Sequence, residues 1–355
     1  MKKMKHPASL SFLLAFAAVA AAAGCNAGTS SVELGASDLR GADLTGVVFE
    51  PDGGLSPLQT TTLVTVVIGP QDKGATLLNA IKNATTSIHM TMYLLTDSTT
   101  ITALEKQHTA GHEVQVLLNQ TFPSGQGSQT DVYNQLKAAG VSVKWAPSMY
   151  QYTHEKTLVL DGKTALIMTM NASSSAYTSN REYLGVDTDP ADVAEAEAIF
   201  QADWNGTPTA TTGKLVTAPD NAEARLVQLV DSAAATVDLE GEVFSSSAML
   251  AALGRANKRS VAVRVLLSSG TPTSAQTQAI IGMKQVGIPV RSLNSPDIHA
   301  KAIVVDGKIA YIGSENFTAN SLQNNRELGI LVAAPSEVQK VASTIAADFA
   351  AGTAL

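Results

Sequence analysis

The sequence predicts an α/β protein made of two similar lobes. Helix-like and strand-like segments alternate along most of the chain, and the same order of segments recurs in its second half at a nearly constant spacing. The composition agrees: 355 residues that are 45% hydrophobic and 15% charged can fill one large core or two medium ones.

Taken in order, residues 1–25 read as a targeting segment. Lys2, Lys3 and Lys5 supply a positive start, Leu10 to Ala23 an apolar stretch, and "AAAGC" its end. Cys25 is the only cysteine, which excludes an intrachain disulfide. Its setting resembles the lipobox of bacterial lipoproteins, although Ala22 stands where Leu is commonest. The resemblance implies lipidation of Cys25 and export to the bacterial cell envelope, with plain secretion as the alternative. No later run reaches the roughly 18 apolar residues that span a bilayer. Removal of residues 1–24 leaves 21 basic against 31 acidic residues, which argues mildly against wrapping long nucleic acid.

Residues 26–62 are rich in Gly, Ser, Thr, Asp and Pro and read as a flexible tether. A first lobe is expected over 63–208 and a second over 215–355, with a Gly/Thr/Pro boundary between them. In the first lobe, Leu77, Leu78 and Ile81 predict a helix with Asp72 near its cap, and "TSIHMTMYLL" a strand. A helix after Asp97, the strand "VQVLLN", the helix "VYNQLKAAG" and the strand "VSVKWA" follow. The second lobe repeats this order as "AEARLVQLVDSAA", "TVDLEGEVF", "SAMLAALGRAN", "VAVRVLLSS", "AIIGMKQVG" and "IPVRSL".

Each lobe also carries a polar pattern. "HEKTLVLDGKTALIMTMN" spans His154 to Asn171, and "HAKAIVVDGKIAYIGSEN" spans His299 to Asn316, an offset of 145 residues. Both give His-x-Lys, then Asp, then Asn, and each is followed by "NRE", ending in Glu182 and Glu327. On a strand, His154 and Lys156 share a face, as do His299 and Lys301. Asp161 and Asp306 fall on the opposite face and each precedes Gly, so they read as hairpin-turn formers with a structural role.

Two imidazoles and two ammoniums suit phosphoryl chemistry. One neutral His can attack phosphorus while the other, protonated, serves the leaving alcohol. Lys156, Lys301, Asn171 and Asn316 supply positive charge and donors for a five-coordinate phosphorus. Glu182 and Glu327 can each accept a ring N–H and fix its tautomer.

These residues resemble the phospholipase D superfamily. "HAKAIVVDGKIAYIGSEN" matches its HxKxxxxDxxxxxxGSxN signature at every defined position, and the likeness covers roughly residues 70–350. The resemblance implies two similar α/β lobes, each a mixed β-sheet flanked by helices, with one active site at the lobe interface. It also implies metal-independent, cofactor-free phosphodiester chemistry, with His154 as nucleophile and His299 as general acid. Ser314 and Thr169 would join the phosphate-binding residues. The first copy departs from the signature, with Met168 and Thr169 in place of Gly and Ser. Thr keeps the hydroxyl, whereas Met for Gly is the harsher change if the backbone there needs close approach.

The substrate is less legible. Trp145, Met149, Tyr150 and Tyr152 could hold acyl chains, bind a choline head or stack bases. A phospholipid is the leading expectation, with a nuclease, a cardiolipin synthase-type transferase and an inactive scaffold as alternatives. Both half-sites lie in one chain, so a monomer is expected. His89, His108 and His112 lie outside the motifs and read as structural or exposed.

Overall fold

The computed structural model describes residues 56–355 apart from 121, 124–127 and 210. The targeting segment, Cys25 and most of the expected tether lie outside the described residues. The first lobe runs β1 (Val64–Gly69), α1 (Ala75–Asn83), β2 (Ser87–Met92), α2 (Ser98–Thr109), β3 (Glu113–Leu118), α3 (Thr130–Ala138), β4 (Ser142–Trp145), β5 (Lys156–Leu160), β6 (Thr164–Met168), α4 (Ser174–Thr178), β7 (Asn180–Asp187) and α5 (Pro190–Asn205). The second runs β8 (Val216–Ala218), α6 (Ala222–Asp231), β9 (Thr236–Gly241), α7 (Ser247–Lys258), β10 (Ala262–Ser268), α8 (Ser274–Gln285), β11 (Val290–Leu293), β12 (Asp297–Ile298), β13 (Lys301–Val305), β14 (Ile309–Gly313), α9 (Ala319–Gln323), β15 (Glu327–Val332), α10 (Pro335–Ala351) and β16 (Thr353–Ala354).

The two mixed sheets share one topology. The first has the order β1-β7-β6-β5-β2-β3-β4, and the second β8-β15-β14-β13-β9-β10-β11-β16. In each, the three strands alternating with helices are parallel and the motif hairpin is antiparallel. Matched caps start matched helices: Asp97 accepts the N–H of Thr100, and Ser246 that of Met249. Asp72 is not the cap of α1, which is Gly74, but its carboxylate accepts from Thr76 one turn in.

Each lobe has its own core between sheet and outer helices. A third core lies between the sheets, where Val159, Ala165 and Ile167 of the first meet Ala302, Ala310 and Ile312 of the second. Val193 and Ile199 of α5 and Val338 and Ile345 of α10 complete it. Apolar side chains on the facing sheet surfaces explain why these strands are buried on both sides. Residues 56–62 do not hang free as the end of a tether. Leu58 packs on the second lobe's core, and Thr61 donates its N–H to Leu331 O at 2.9 Å.

Both motif hairpins turn at an Asp-Gly pair with positive φ, 55° and 60° at Asp161 and Gly162 and 52° and 59° at Asp306 and Gly307. The Asp161 carboxylate accepts backbone N–H bonds from Thr85, Thr86 and Ser87, and Asp306 those of Ala234, Ala235 and Thr236. Those donors hold each carboxyl below its ordinary range against the cost of desolvation. The motif Asp therefore ties a hairpin tip to the start of the central strand, at the end of the hairpin away from the His.

Candidate active site

The lobes exchange backbone as well as side chains. The short strand β12, just before His299, pairs in parallel with the start of β7, matching Ile298 with Arg181. The equivalent bridge in the other direction joins Thr153 to Arg326, and Arg326 O accepts the N–H of His154 at 2.9 Å. Each His is thus delivered beside the Asn-Arg-Glu of the opposite lobe.

The side chains follow that crossing. His154 Nδ1 lies 2.8 Å from Glu327 Oε2, and His299 Nδ1 lies 2.7 Å from Glu182 Oε1. Both carboxylates are fully buried, while the imidazoles retain 12% and 18% exposure, so the rings face the cleft and the acids stand behind them. Ser321 Oγ and Asn325 Nδ2 donate to the other oxygen of Glu327, at 2.5 and 3.0 Å. Thr169 Oγ1 donates to Glu182 Oε2 at 2.5 Å.

Both lysines are buried beside the imidazoles. Lys301 Nζ donates to His299 O at 2.6 Å, and Lys156 Nζ to His154 O. Asn171 and Asn316 complete the set, each with a buried Oδ1 that has no hydrogen-bond partner among the described residues. The electrostatics distinguish the groups. Burial, aided by Lys156 and Lys301, pushes the His154 imidazole below its ordinary pKa despite Glu327. Burial likewise brings the Lys156 ammonium down to about 7, reinforced by Lys301 and opposed by Glu327, Glu242 and Glu182. Burial would raise Glu182 and Glu327, but the adjacent imidazole, a lysine and a hydroxyl hold each below the usual carboxylate range. A neutral His154 donating Nδ1–H to Glu327 leaves its Nε2 lone pair available for attack.

Thr169 and Ser314 are both tied to the backbone of the neighbouring strand. Both are fully buried, and their hydroxyls serve the next strand: Thr169 Oγ1 accepts the N–H of Tyr183 at 2.9 Å, and Ser314 Oγ that of Leu328 at 3.0 Å. Thr169 spends its single O–H on Glu182 rather than on phosphate, which corrects its expected role, whereas the Ser314 hydroxyl has only the accepted bond among the described residues.

Met168 has a packing explanation. A Cβ on its counterpart Gly313 would meet Glu315 Oε2 and Tyr311 Oη at 2.5 Å and the Cα of Gly329 at 2.6 Å. In the second lobe the buried Tyr311 hydroxyl bonds to Glu315 across two glycines. The corresponding four positions of the first lobe are Leu166, Met168, Met170 and Leu184, all buried and apolar. The whole set changes together, so Met168 fills the volume that a polar pair occupies in the twin.

Several contributors escaped the sequence reading. Glu242 lies just past β9, with Oε2 at 2.7 Å from Lys301 Nζ and 3.6 Å from His299 Nε2. At the equivalent place after β2 stands Tyr93, whose ring centroid is 4.5 Å from that of His154 and 5.0 Å from Lys156 Nζ. Phe122 and Tyr152 continue this aromatic wall, at 5.0 and 6.5 Å from Tyr93. The signal for Glu242 was its place in the repeat, obscured because the first copy carries Tyr.

The other aromatics divide. Trp145 stacks on Tyr133 at 4.3 Å, and Tyr150 lies 4.3 Å from the Arg326 guanidinium, so both are packing residues, while Met149 is 50% exposed. Arg326 pairs with Asp203 of α5 at 2.9 Å, and Arg181 pairs with Asp348 of α10 at 2.5 Å. Asp203 and Asp348 share the 145-residue offset, so these buried pairs cross between lobes as the His–Glu pairs do. His89 bonds Glu197 at 2.9 Å and stacks on Phe200, and His112 bonds Gln107 at 2.6 Å. His108 packs under Gly140. No group of three or more His, Cys, Asp or Glu among the described residues is arranged to hold a metal ion.

Comparison with known proteins places this geometry. The family described as "Cardiolipin synthase, PLD-like domain" matches residues 77–204 and 226–350, one stretch in each lobe. The probable cardiolipin synthase of Bacillus subtilis (strain 168) is 25% identical over 236 residues, which is 55% of this chain and 47% of the relative. The mitochondrial cardiolipin hydrolase of Homo sapiens is 32% identical over 114 residues, which is 30% of this chain and 43% of the relative. The matched stretches thus span less than half the length of these two relatives. A crystal structure of phosphatidylserine synthase from Haemophilus influenzae Rd KW20 superposes with a TM-score of 0.64 at 11% identity, covering 84% of this chain and 88% of that one, a likeness of fold. The matched family, the doubled motif and the crossed His–Glu pairs agree: the chain belongs to the phospholipase D superfamily, in its family of cardiolipin synthase-type PLD-like domains.

Proposed function

We propose that this protein is a phosphodiesterase that removes the head group of a phospholipid through a phosphohistidine intermediate. The observation that supports this reading best is the pair of imidazoles in one cleft, each backed by a buried carboxylate of the other lobe at 2.8 and 2.7 Å. His154 Nε2 attacks phosphorus, the P–O bond to the head-group alcohol breaks, and His299 gives that oxygen its proton. Lys156, Lys301, Asn171 and Asn316 hold the non-bridging oxygens as charge builds on them. Water then attacks the phosphohistidine and gives a proton to His299. The P–N bond breaks, its electron pair returns to His154, and phosphatidic acid leaves.

The aromatic wall of Tyr93, Phe122 and Tyr152 offers a lipid apolar surface beside the imidazoles. Transfer to an alcohol in place of water is the second reading. It draws on the matched family and on the Bacillus subtilis relative, both named for cardiolipin synthase. The chain would act as a monomer held at the bacterial envelope by lipid on Cys25. Purified protein in excess EDTA should release head group from phosphatidylethanolamine or phosphatidylcholine vesicles and leave plasmid DNA intact. Degraded DNA beside inert vesicles would establish the nuclease alternative instead.

A further inference from the structure

The two half-sites differ in the residue just past the central strand. The carboxylates Glu182 and Glu327 each serve an imidazole, but a third carboxylate, Glu242, has no acidic counterpart in the first lobe. Tyr93 occupies that place: its N–H bonds Glu155 O at 3.1 Å, as that of Glu242 bonds Ala300 O at 3.0 Å. Glu242 is 32% exposed at its side chain, more than either imidazole, so it borders the cleft. Its Oε2 neutralises Lys301 at 2.7 Å, and its Oε1 accepts no hydrogen bond from the described residues.

For a site that must bind an anion this is a handicap. When a phosphodiester takes the Lys301 ammonium, and once His299 has given up its proton, Glu242 is left facing the phosphate as an uncompensated charge, at a cost that grows in a dry cleft. The cost disappears if the substrate brings its own positive charge. The other wall is aromatic: Tyr93 stands beside His154, with ring centroids 4.5 Å apart, as Glu242 stands beside His299 at 3.6 Å. A carboxylate beside one imidazole and an aromatic ring beside the other are together suited to an ammonium group.

We infer that Glu242 and Tyr93 form a subsite for a cationic leaving alcohol, so that the enzyme selects phospholipids with an amine-bearing head group over those with a neutral one. The inference rests on the phospholipid reading above. His299, 3.6 Å from Glu242, is then placed where the leaving oxygen of such a head group would lie, one short carbon linker from its ammonium.

The test compares full-length wild type, Glu242→Gln and Glu242→Asp on phosphatidylethanolamine and phosphatidylglycerol vesicles in EDTA. Wild type should favour phosphatidylethanolamine by about 10- to 100-fold in kcat/KM, the range of one charge-assisted contact. Glu242→Gln should bring the two lipids within about threefold, chiefly by losing activity on phosphatidylethanolamine, and Glu242→Asp should restore part of the preference. Ethanolamine added to wild type should inhibit more than the same concentration of glycerol, a result independent of how the variants fold. Equal wild-type rates on both lipids, equal losses on both in Glu242→Gln, or equal inhibition by ethanolamine and glycerol would overturn the subsite alone. Cleavage of plasmid DNA with neither lipid touched would overturn the phospholipid reading and the subsite with it.

Discussion

Glu327 and His154 lie 173 residues apart in the chain and 2.8 Å apart in space, and they belong to different lobes. His299 and Glu182 repeat the relationship in the opposite direction at 2.7 Å. Neither lobe supplies the carboxylate beside its own histidine, so the proposed catalytic centre arises only when both sheets meet. Glu327→Gln should lower kcat by about 10²- to 10⁴-fold with an unchanged melting curve, because an amide cannot fix the same tautomer and charge. Glu182→Gln should behave alike. A variant with full activity would remove the carboxylates from the mechanism.

The histidines themselves are a simpler case. His154→Ala and His299→Ala should each abolish turnover of lipid, measured as released head group. Residual turnover in His154→Ala near the wild-type rate would mean that the copy with Met168 and Thr169 plays no chemical part.

Lys156 gives a pH dependence with a defined sign. Its ammonium is brought down to about 7, so the cation proposed to bind phosphate is lost as pH rises through that value. KM should climb above pH 7, toward about tenfold per pH unit, while kcat changes less. On the acid side, His154 is held below the ordinary imidazole value and must be neutral to attack, so kcat/KM should persist to below about pH 6.5 before falling. A KM that stays flat to pH 9 would contradict the assignment of Lys156.

The buried Arg–Asp pairs between lobes set stability. Asp203 and Arg326 are both fully buried, so Arg326→Met should strand the carboxylate and cost about 3–5 kcal/mol in a denaturant titration. Arg181→Met should do the same through Asp348. Losses under about 1 kcal/mol would show that water reaches these pairs.

The Met168 set makes a packing prediction. Gly313→Met alone should destabilise by about 1–3 kcal/mol, because its Cβ would start 2.5 Å from Tyr311 and Glu315. Adding Tyr311→Leu, Glu315→Met and Gly329→Leu should recover most of that loss by reproducing the first lobe's apolar set. Failure of the fourfold variant to recover would refute the concerted exchange.

Much of this was legible in the chain because a duplicated sequence announces equivalence. The 145-residue offset alone marks His154 with His299, Lys156 with Lys301 and Glu182 with Glu327. It is silent about pairing, since an offset cannot say whether a residue meets its own lobe's partner or its twin's. The crossing depends on β12 and the Thr153–Arg326 bridge, stretches too short to show any period. Asp203 and Asp348 obey the same offset yet went unread, because they sit at the ends of α5 and α10, outside the motifs. Glu242 was hidden for the opposite reason: the repeat breaks there, and a tyrosine in one copy disguises an acid in the other.

The proposed mechanism requires one composite site that forms a covalent intermediate on His154. Wild-type protein turning over phosphatidylethanolamine should be quenched in alkali, where phosphohistidine survives, digested, and mapped by mass spectrometry. A phosphatidyl adduct on the peptide carrying His154, and none on the peptide carrying His299, is the expected result. An adduct on His299 alone, or turnover with no adduct on either, would contradict it.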